Sequence, residues 1–382
     1  MAAEASIVRT NRVMALTNRS DDGPLHIHPL SSPQAVRAEW ETLAAANGNI
    51  FTTVEWASAW LEHFRGDASP LLAACRRRDG SIAGILPLVV RREGRLRVIR
   101  LLGHGPADRL APVCAPADRR IVARALRGFL ADSGCDLFIG EQMPANEGWS
   151  ESLGATVLER ESSPALGIDG LEWEQFLAGR SSNFRGQVRR REKRLAERGE
   201  LRFRLTDDPG ELSADLETLF RLHDARWQSG GASAFVGRAR DLHRDFASDA
   251  LERGWLRLWL LELDDRPLAA WYGFRYGGAE WYYQSGRDPA ADADGVGFVL
   301  FCHTIREAMN DGMREYRLLR GDEAYKARFA DRDPGLASVD LGLTPLGRAA
   351  LLVRRARPSV RKAVGRLHAS RKSSSGGHPA GA

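Results

Sequence analysis

Arg320-Gly321-Asp322-Glu323-Ala324-Tyr325-Lys326 places two carboxylates, a phenol and two cations within seven consecutive positions. Groups of these types suit acyl transfer to an amine or hydroxyl, which needs a base for the acceptor proton and a donor for the leaving group. Asp322 or Glu323 fits the base, its pKa raised by partial burial. Tyr325 fits the donor to a leaving sulfur. Arg320 and Lys326 either anchor an anionic substrate or pair with the two carboxylates. A salt-bridged turn at a strand end accounts for the same residues without any chemistry.

Upstream, Gly295-Val296-Gly297 opens a helix. Free backbone N–H groups and the positive dipole end make such a turn an anion site, although two glycines also simply relieve a tight turn. The strand before it, Trp281-Tyr282-Tyr283-Gln284-Ser285, is expected to break at Gly286. A strand that splays there offers Tyr283, Gln284 and Ser285 to an extended amide arm. An extended amide arm ending in a pyrophosphate describes acetyl-coenzyme A or another acyl-coenzyme A, the donor expected here, with no metal.

Three further groups stand out. His223, Arg226 and Trp227 share a helix, with His223 and Trp227 four apart on one face; they are substrate-binding candidates, and a core histidine is the plainer reading of His223. Arg185, Arg189, Arg190, Arg191, Lys193 and Arg194 make a basic helix that suits nucleic acid or a polyanionic acceptor, or a solvated face. No alternating aromatics accompany it, as stacking on single strands would want. Trp56, Trp60 and Phe64 stripe one face of an earlier helix and read as core. Glu55 beside them either lines a cleft or belongs to the cap of that helix.

The elements that must position these residues repeat. Leu25–Leu30 reads as a strand, followed by a helix capped at Ser31-Ser32-Pro33 and ending near Gly48, and a second from Thr53 to Phe64. Strands 71–77, 82–90 and 96–102 come next, the first two turning at Asp79-Gly80. A helix over 121–130, a strand over 135–140 and a closing strand over 155–168 complete the half. Residues 169–343 run through the same order: strand 201–205, helices 211–228 and 237–253, strands 255–263, 267–276 and 280–285, helix 298–310, and closing strands 315–319 and 337–343. Two passes through one order predict a duplicated mixed α/β unit. The expected division is a disordered 1–24, an N-terminal unit over 25–168, a C-terminal unit over 169–343 carrying the donor site, and a basic helix and disordered tail over 344–382.

Hydrophobic content of 43% with 27% charge belongs to a soluble globular protein, and no apolar run is long enough to span a membrane. Four scattered cysteines and no secretory signal point to a reducing cytoplasm. The net charge of +5 is uneven: no acidic residue follows Asp340, while Arg348, Arg354, Arg355, Arg357, Arg361, Lys362, Arg366, Arg371 and Lys372 do. An anionic polymer or a membrane surface, the inner membrane included, is the partner expected for that tail, with a solvated basic tail as the alternative.

Phe51…Glu55-Trp56…Trp60, Ile85-Leu86-Pro87-Leu88, Ser182-Asn183-Phe184-Arg185, His223…Arg226-Trp227, Trp281-Tyr282…Ser285-Gly286…Asp288-Pro289 and the Gly321-Asp322-Glu323-Ala324-Tyr325-Lys326 ending together resemble one family. It is the bacterial GNAT-type acyltransferases related to the CelD proteins of cellulose biosynthesis, which in turn resemble Fem-type peptidyl transferases. The resemblance spans about residues 25–343 and is densest from Ser181. It implies an α/β fold of two tandem GNAT-like domains with mixed, mainly antiparallel sheets flanked by helices. It also implies transfer of an acetyl or related acyl group to a small-molecule or glycan acceptor, such as a polysaccharide or cell-envelope precursor. The family's phosphate loop, Q/R-x-x-G-x-G/A, keeps its glycines here behind Asp292 and Asp294. Two other readings stand beside it. One is Fem-like transfer from aminoacyl-tRNA, in which nucleic acid is a partner. The other is an inert scaffold in envelope-polysaccharide assembly.

Overall fold

The computed structural model describes residues 25–227 and 233–356; the Trp227 side chain, the first 24 residues and the tail beyond 356 lie outside the described residues. The first sheet begins with β1 (His26–Leu30). Helices α1 (Arg37–Asn47) and α2 (Val54–His63) follow, the latter capped by the Thr53 side chain on the Trp56 N–H. Next come the antiparallel run β2 (Ser69–Arg76), β3 (Ile82–Glu93) and β4 (Leu96–Leu101), and the short β5 (Val113–Cys114) against β3. Helix α3 (Arg119–Asp132) crosses over to β6 (Leu137–Pro144), parallel to β4. Then α4 (Trp149–Leu153) leads to β7 (Thr156–Glu161).

The second sheet follows the same plan. Strand β8 (Ala165–Gly167) and helices α5 (Trp173–Ala178) and α6 (Ser182–Ala196) precede β9 (Leu201–Leu205). After α7 (Leu212–Trp227) and α8 (Arg238–Glu252) come the antiparallel β10 (Leu256–Leu263), β11 (Arg266–Tyr276) and β12 (Ala279–Arg287). Helix α9 (Val296–Asn310) crosses over to β13 (Glu315–Arg317), parallel to β12. The spatial orders β1-β2-β3-β4-β6 and β9-β10-β11-β12-β13 are equivalent, so the duplication legible in element order is a duplication of topology.

The closing strands are where expectation and structure part. A continuous strand over 155–168 is in fact two pieces: β7 stays in the first sheet, whereas β8 pairs with β13 of the second. The strand expected to finish the second sheet, β14 (Leu336–Gly342), lies between β6 and β7 of the first. Each sheet therefore completes its edge with chain that has crossed from the other. Short apolar strands take whichever open edge the packing presents, and nothing local in 155–168 or 337–343 names that edge.

The halves share the larger core, while a second apolar cluster packs α6 and α9 on the second sheet. Trp56 of α2 meets Phe246 of α8 edge-on, ring centroids 4.8 Å apart, and Phe51 lies 5.9 Å from Trp281 of β12. The buried Glu55 takes Arg37 and Arg253 at 2.6 and 2.8 Å, so its role is to tie α2 to the end of α8. All four cysteines are buried and unpaired, acting as small hydrophobes. Beyond β14, residues 345–356 form a helix, α10, on the outer face of the first sheet.

Candidate active site

Strands β12 and β13 stay paired only from Ala279 to Trp281 against Glu315 to Arg317. Beyond that they part, and a cleft of about 520 Å³ opens beside Tyr282, Tyr283 and Gln284. A bulge helps. Tyr272 faces Gln284 while Gly273 faces Tyr282, so Tyr283 is an extra residue in β12. The break expected at Gly286 is absent, because Gly286 stays paired with Ala270. This glycine is needed for another reason: a Cβ there would lie 2.5 Å from the Leu222 carbonyl carbon, since α7 packs on the strand backbone to backbone.

The far wall and floor come from the two crossings between sheets. Arg160, Glu161 and Ser162 precede β8, and Arg320 to Lys326 follow β13. The two segments are laced together: the Leu318 N–H donates to the Pro164 carbonyl at 2.9 Å and the Gly321 N–H to the Ser162 carbonyl at 3.1 Å. Leu319, buried and left-handed at φ 56°, turns the chain between them.

Within this frame Arg320 bonds Glu161 at 2.8 Å and lies 3.9 Å from Asp108. Its carboxylates thus come from the first half and not from Asp322 or Glu323. Lys326, buried, bonds the Arg320 carbonyl and pairs with Glu323 at 2.9 Å, which staples the loop shut. Asp322 and Glu323 are exposed at the rim. The Tyr325 hydroxyl donates to Tyr282 at 3.4 Å, and burial pushes its pKa up, so it stays protonated. Tyr282 in turn shares a 2.7 Å bond with the Ser285 hydroxyl.

Asp108 is the residue that sequence reasoning missed. Its side chain keeps 16% of its surface exposed, and it lines the cleft. Burial pushes its carboxyl up to about 6, against the pull of Arg320 and Lys326. The signal was available in the repeat. Asp108 sits in the glycine-bearing loop after β4, topologically equivalent to the loop after β12 that carries Gly295.

Of the other candidates, only Arg226 reaches the cleft lining; His223 and the Gly295–Gly297 turn lie outside it. His223 is 1% exposed; its Nδ1–H donates to the Ser285 carbonyl at 2.9 Å and Nε2 accepts from the Ala234 N–H at 3.4 Å. Burial lowers its pKa, so it is a neutral clip that holds β12 to α7. Arg226 does line the cleft and donates to the Ser285 hydroxyl at 3.0 Å. Gly295, Val296 and Gly297 cap α9 at the far end of β12. Gly295 has φ 72°, and a Cβ on it would collide with the Arg191 guanidinium of α6. The acidic residues near this turn each have their own arginine, Arg287 for Asp292 and Arg198 for Asp294. Arg191, set over Phe298 at 5.5 Å, has no carboxylate partner among the described residues. The Phe298 and Val299 N–H groups bond the Gly295 carbonyl, so the amides of Val296 and Gly297, together with this cation, are the groups that fit a phosphate.

A buried chain of donors supports the Asp108 loop. The Tyr283 hydroxyl donates to the Pro106 carbonyl at 2.7 Å and accepts from His243 Nε2–H at 3.2 Å. His243 Nδ1 then accepts from Tyr272 at 3.2 Å. Burial lowers His243 to about 3, which keeps it neutral.

Among the described residues, no group of three or more His, Cys, Asp or Glu side chains is placed to hold a metal, and no helix is long and apolar enough to cross a membrane. No curated protein matches the chain. Among solved structures, FemX is similar at a TM-score of 0.59 and 10% identity, covering 85% of this chain and 99% of that one. The C-terminal domain of an Agrobacterium fabrum protein assigned as a lysylphosphatidylglycerol synthetase gives 0.54 at 11%, over 85% and 96%. L-PGS from Bacillus licheniformis gives 0.52 at 13%, over 84% and 95%. The chain thus has a GNAT-like acyltransferase fold, and residues 182–327, from α6 through the Arg320–Lys326 cluster, match the family described as Acetyltransferase (GNAT) domain.

Proposed function

We propose that the cleft transfers an acyl group from an acyl-coenzyme A thioester to an amine or hydroxyl of a polysaccharide or cell-envelope precursor. The observation that carries this reading is the parting of β12 from β13. It leaves a strand edge running from the α9 N-terminus to a cleft with a proton acceptor and a protonated phenol. The donor's amide arm lies along Tyr282–Ser285 and its phosphates meet the first turn of α9 and Arg191. Asp108 takes the acceptor proton as the C–N or C–O bond forms, and the Tyr325 hydroxyl donates to the thiolate as the C–S bond breaks. Asp108 is better placed for the base than Asp322 or Glu323, which stand at the rim. Isothermal titration with acetyl-coenzyme A tests the donor. Binding below about 1 mM, weakened by Arg191→Glu, is expected; no heat at millimolar donor overturns the acyl-coenzyme A reading.

A Fem-like transfer from aminoacyl-tRNA is the second reading, favoured by α6, which exposes Arg189, Arg190, Lys193 and Arg194 along one stretch. Under it, tRNA affinity falls by at least about tenfold between 50 and 200 mM salt. Salt-insensitive or undetectable tRNA binding counts against it.

A further inference from the structure

Helix α10, residues 345–356, is folded the wrong way out for a helix facing water. At 100° per residue, its inward sector holds Gly347, Leu351 and Arg354. Gly347 is buried where a Cβ would collide with the Asp136 carbonyl, Leu351 packs on Val98, Leu137 and Ile139, and Arg354 pairs with the fully buried Asp340. The outward sector holds Leu346, Ala349, Leu352, Val353 and Ala356, all exposed. Leu346, Leu352 and Val353 are 49%, 65% and 58% exposed, three of the four large apolar side chains left exposed among the described residues. Arg348 and Arg355 border this stripe, exposed and without an acidic partner among the described residues.

We propose that α10 is a membrane-surface contact, laying this stripe into the interface of an anionic bilayer with Arg348 and Arg355 at the headgroups. Charge selects the occupant. From residue 341 to 382 the sequence contains no Asp or Glu, and Arg357, Arg361, Lys362, Arg366, Arg371 and Lys372 follow the helix. A second copy of α10, or residues 357–382 folded back, would set further cations against Arg348 and Arg355. A polynucleotide would neutralise the arginines and leave the leucines in water. An anionic lipid surface satisfies both, since buried apolar area and headgroup attraction add. The proposal is independent of the donor and of the cleft.

Vesicle co-sedimentation of the full chain tests it. Vesicles of phosphatidylcholine with about one third phosphatidylglycerol should bind at least about tenfold more tightly than phosphatidylcholine alone. The variant L352S/V353S should lose about tenfold on the anionic vesicles at an unchanged melting temperature. R348E/R355E should lose the preference for anionic lipid. Equal binding by L352S/V353S and the parent overturns the proposal, as does absence of binding to either vesicle. A dimer by light scattering that L352S/V353S dissolves also overturns it, in favour of a second copy.

Discussion

Asp108 is pulled in two directions: burial disfavours its charge, while Arg320 and Lys326 favour it, and burial wins. A base with a pKa near 6 works only once deprotonated, so kcat/KM should rise through about pH 6 and level above it. Asp108→Asn should remove that limb and cost about 10²- to 10⁴-fold in rate, whereas D322N/E323Q should leave the limb in place; pH–rate profiles of the three proteins decide. Glu280 makes a separate prediction. It is fully buried at the start of β12, with Arg275 at 3.7 Å, and burial pushes it up to about 7. The folded state therefore holds this proton more tightly than the unfolded chain. Stability is present at low pH and is lost as pH rises from the ordinary carboxylate range through about 7. The melting temperature of Glu280→Gln relative to the parent should accordingly climb from pH 5 to pH 8, by thermal melts at each pH.

At the scale of elements, glycine is where sequence and structure read most differently. Gly286 suggests a strand break in sequence, yet it is the point where α7 touches β12. Gly286→Ala must push α7 off the strand and should cost about 1–3 kcal/mol by denaturant midpoint. Gly128, exposed in α3 with open space where its Cβ would go, is the contrast: Gly128→Ala should stabilise by up to about 1 kcal/mol. The Thr53 cap, the hairpins and the repeated order were legible, because turn dipeptides and periodicity are local; the cap expected at Ser31-Ser32-Pro33 instead opens a 3-10 turn, Pro33–Val36, with no side-chain bond from Ser32. The Arg320–Lys326 cluster was legible as a cluster, since its groups are contiguous. Its partners were not. Arg320 turns to Glu161 and Asp108, far away in sequence, and the raised Asp108 follows from that distant packing.

For the whole molecule, the shared core and the exchanged strands should make the two halves melt as one cooperative body. Trp56 sits between α2, α8 and β12, packed on Phe246, His243 and Tyr283. Trp56→Ala should cost about 3–5 kcal/mol, and fluorescence and circular dichroism should report the same lowered transition. Two separated transitions would show that the halves melt independently. The cleft belongs to this scale too. Its walls are the two crossing segments, so any movement that pulls the sheets apart also pulls on the hydrogen bonds between Ser162 and Gly321 and between Pro164 and Leu318.

The position of β14 has a consequence during synthesis. Strands β6 and β7 are made early, but the strand that belongs between them leaves the ribosome only with residues 336–342. Until then the nascent chain carries two unpaired strand edges while the whole second half is translated, which is the condition that recruits holdase chaperones and favours aggregation. Messages truncated before residue 336 should therefore yield insoluble chains, even though most of both sheets has already been made.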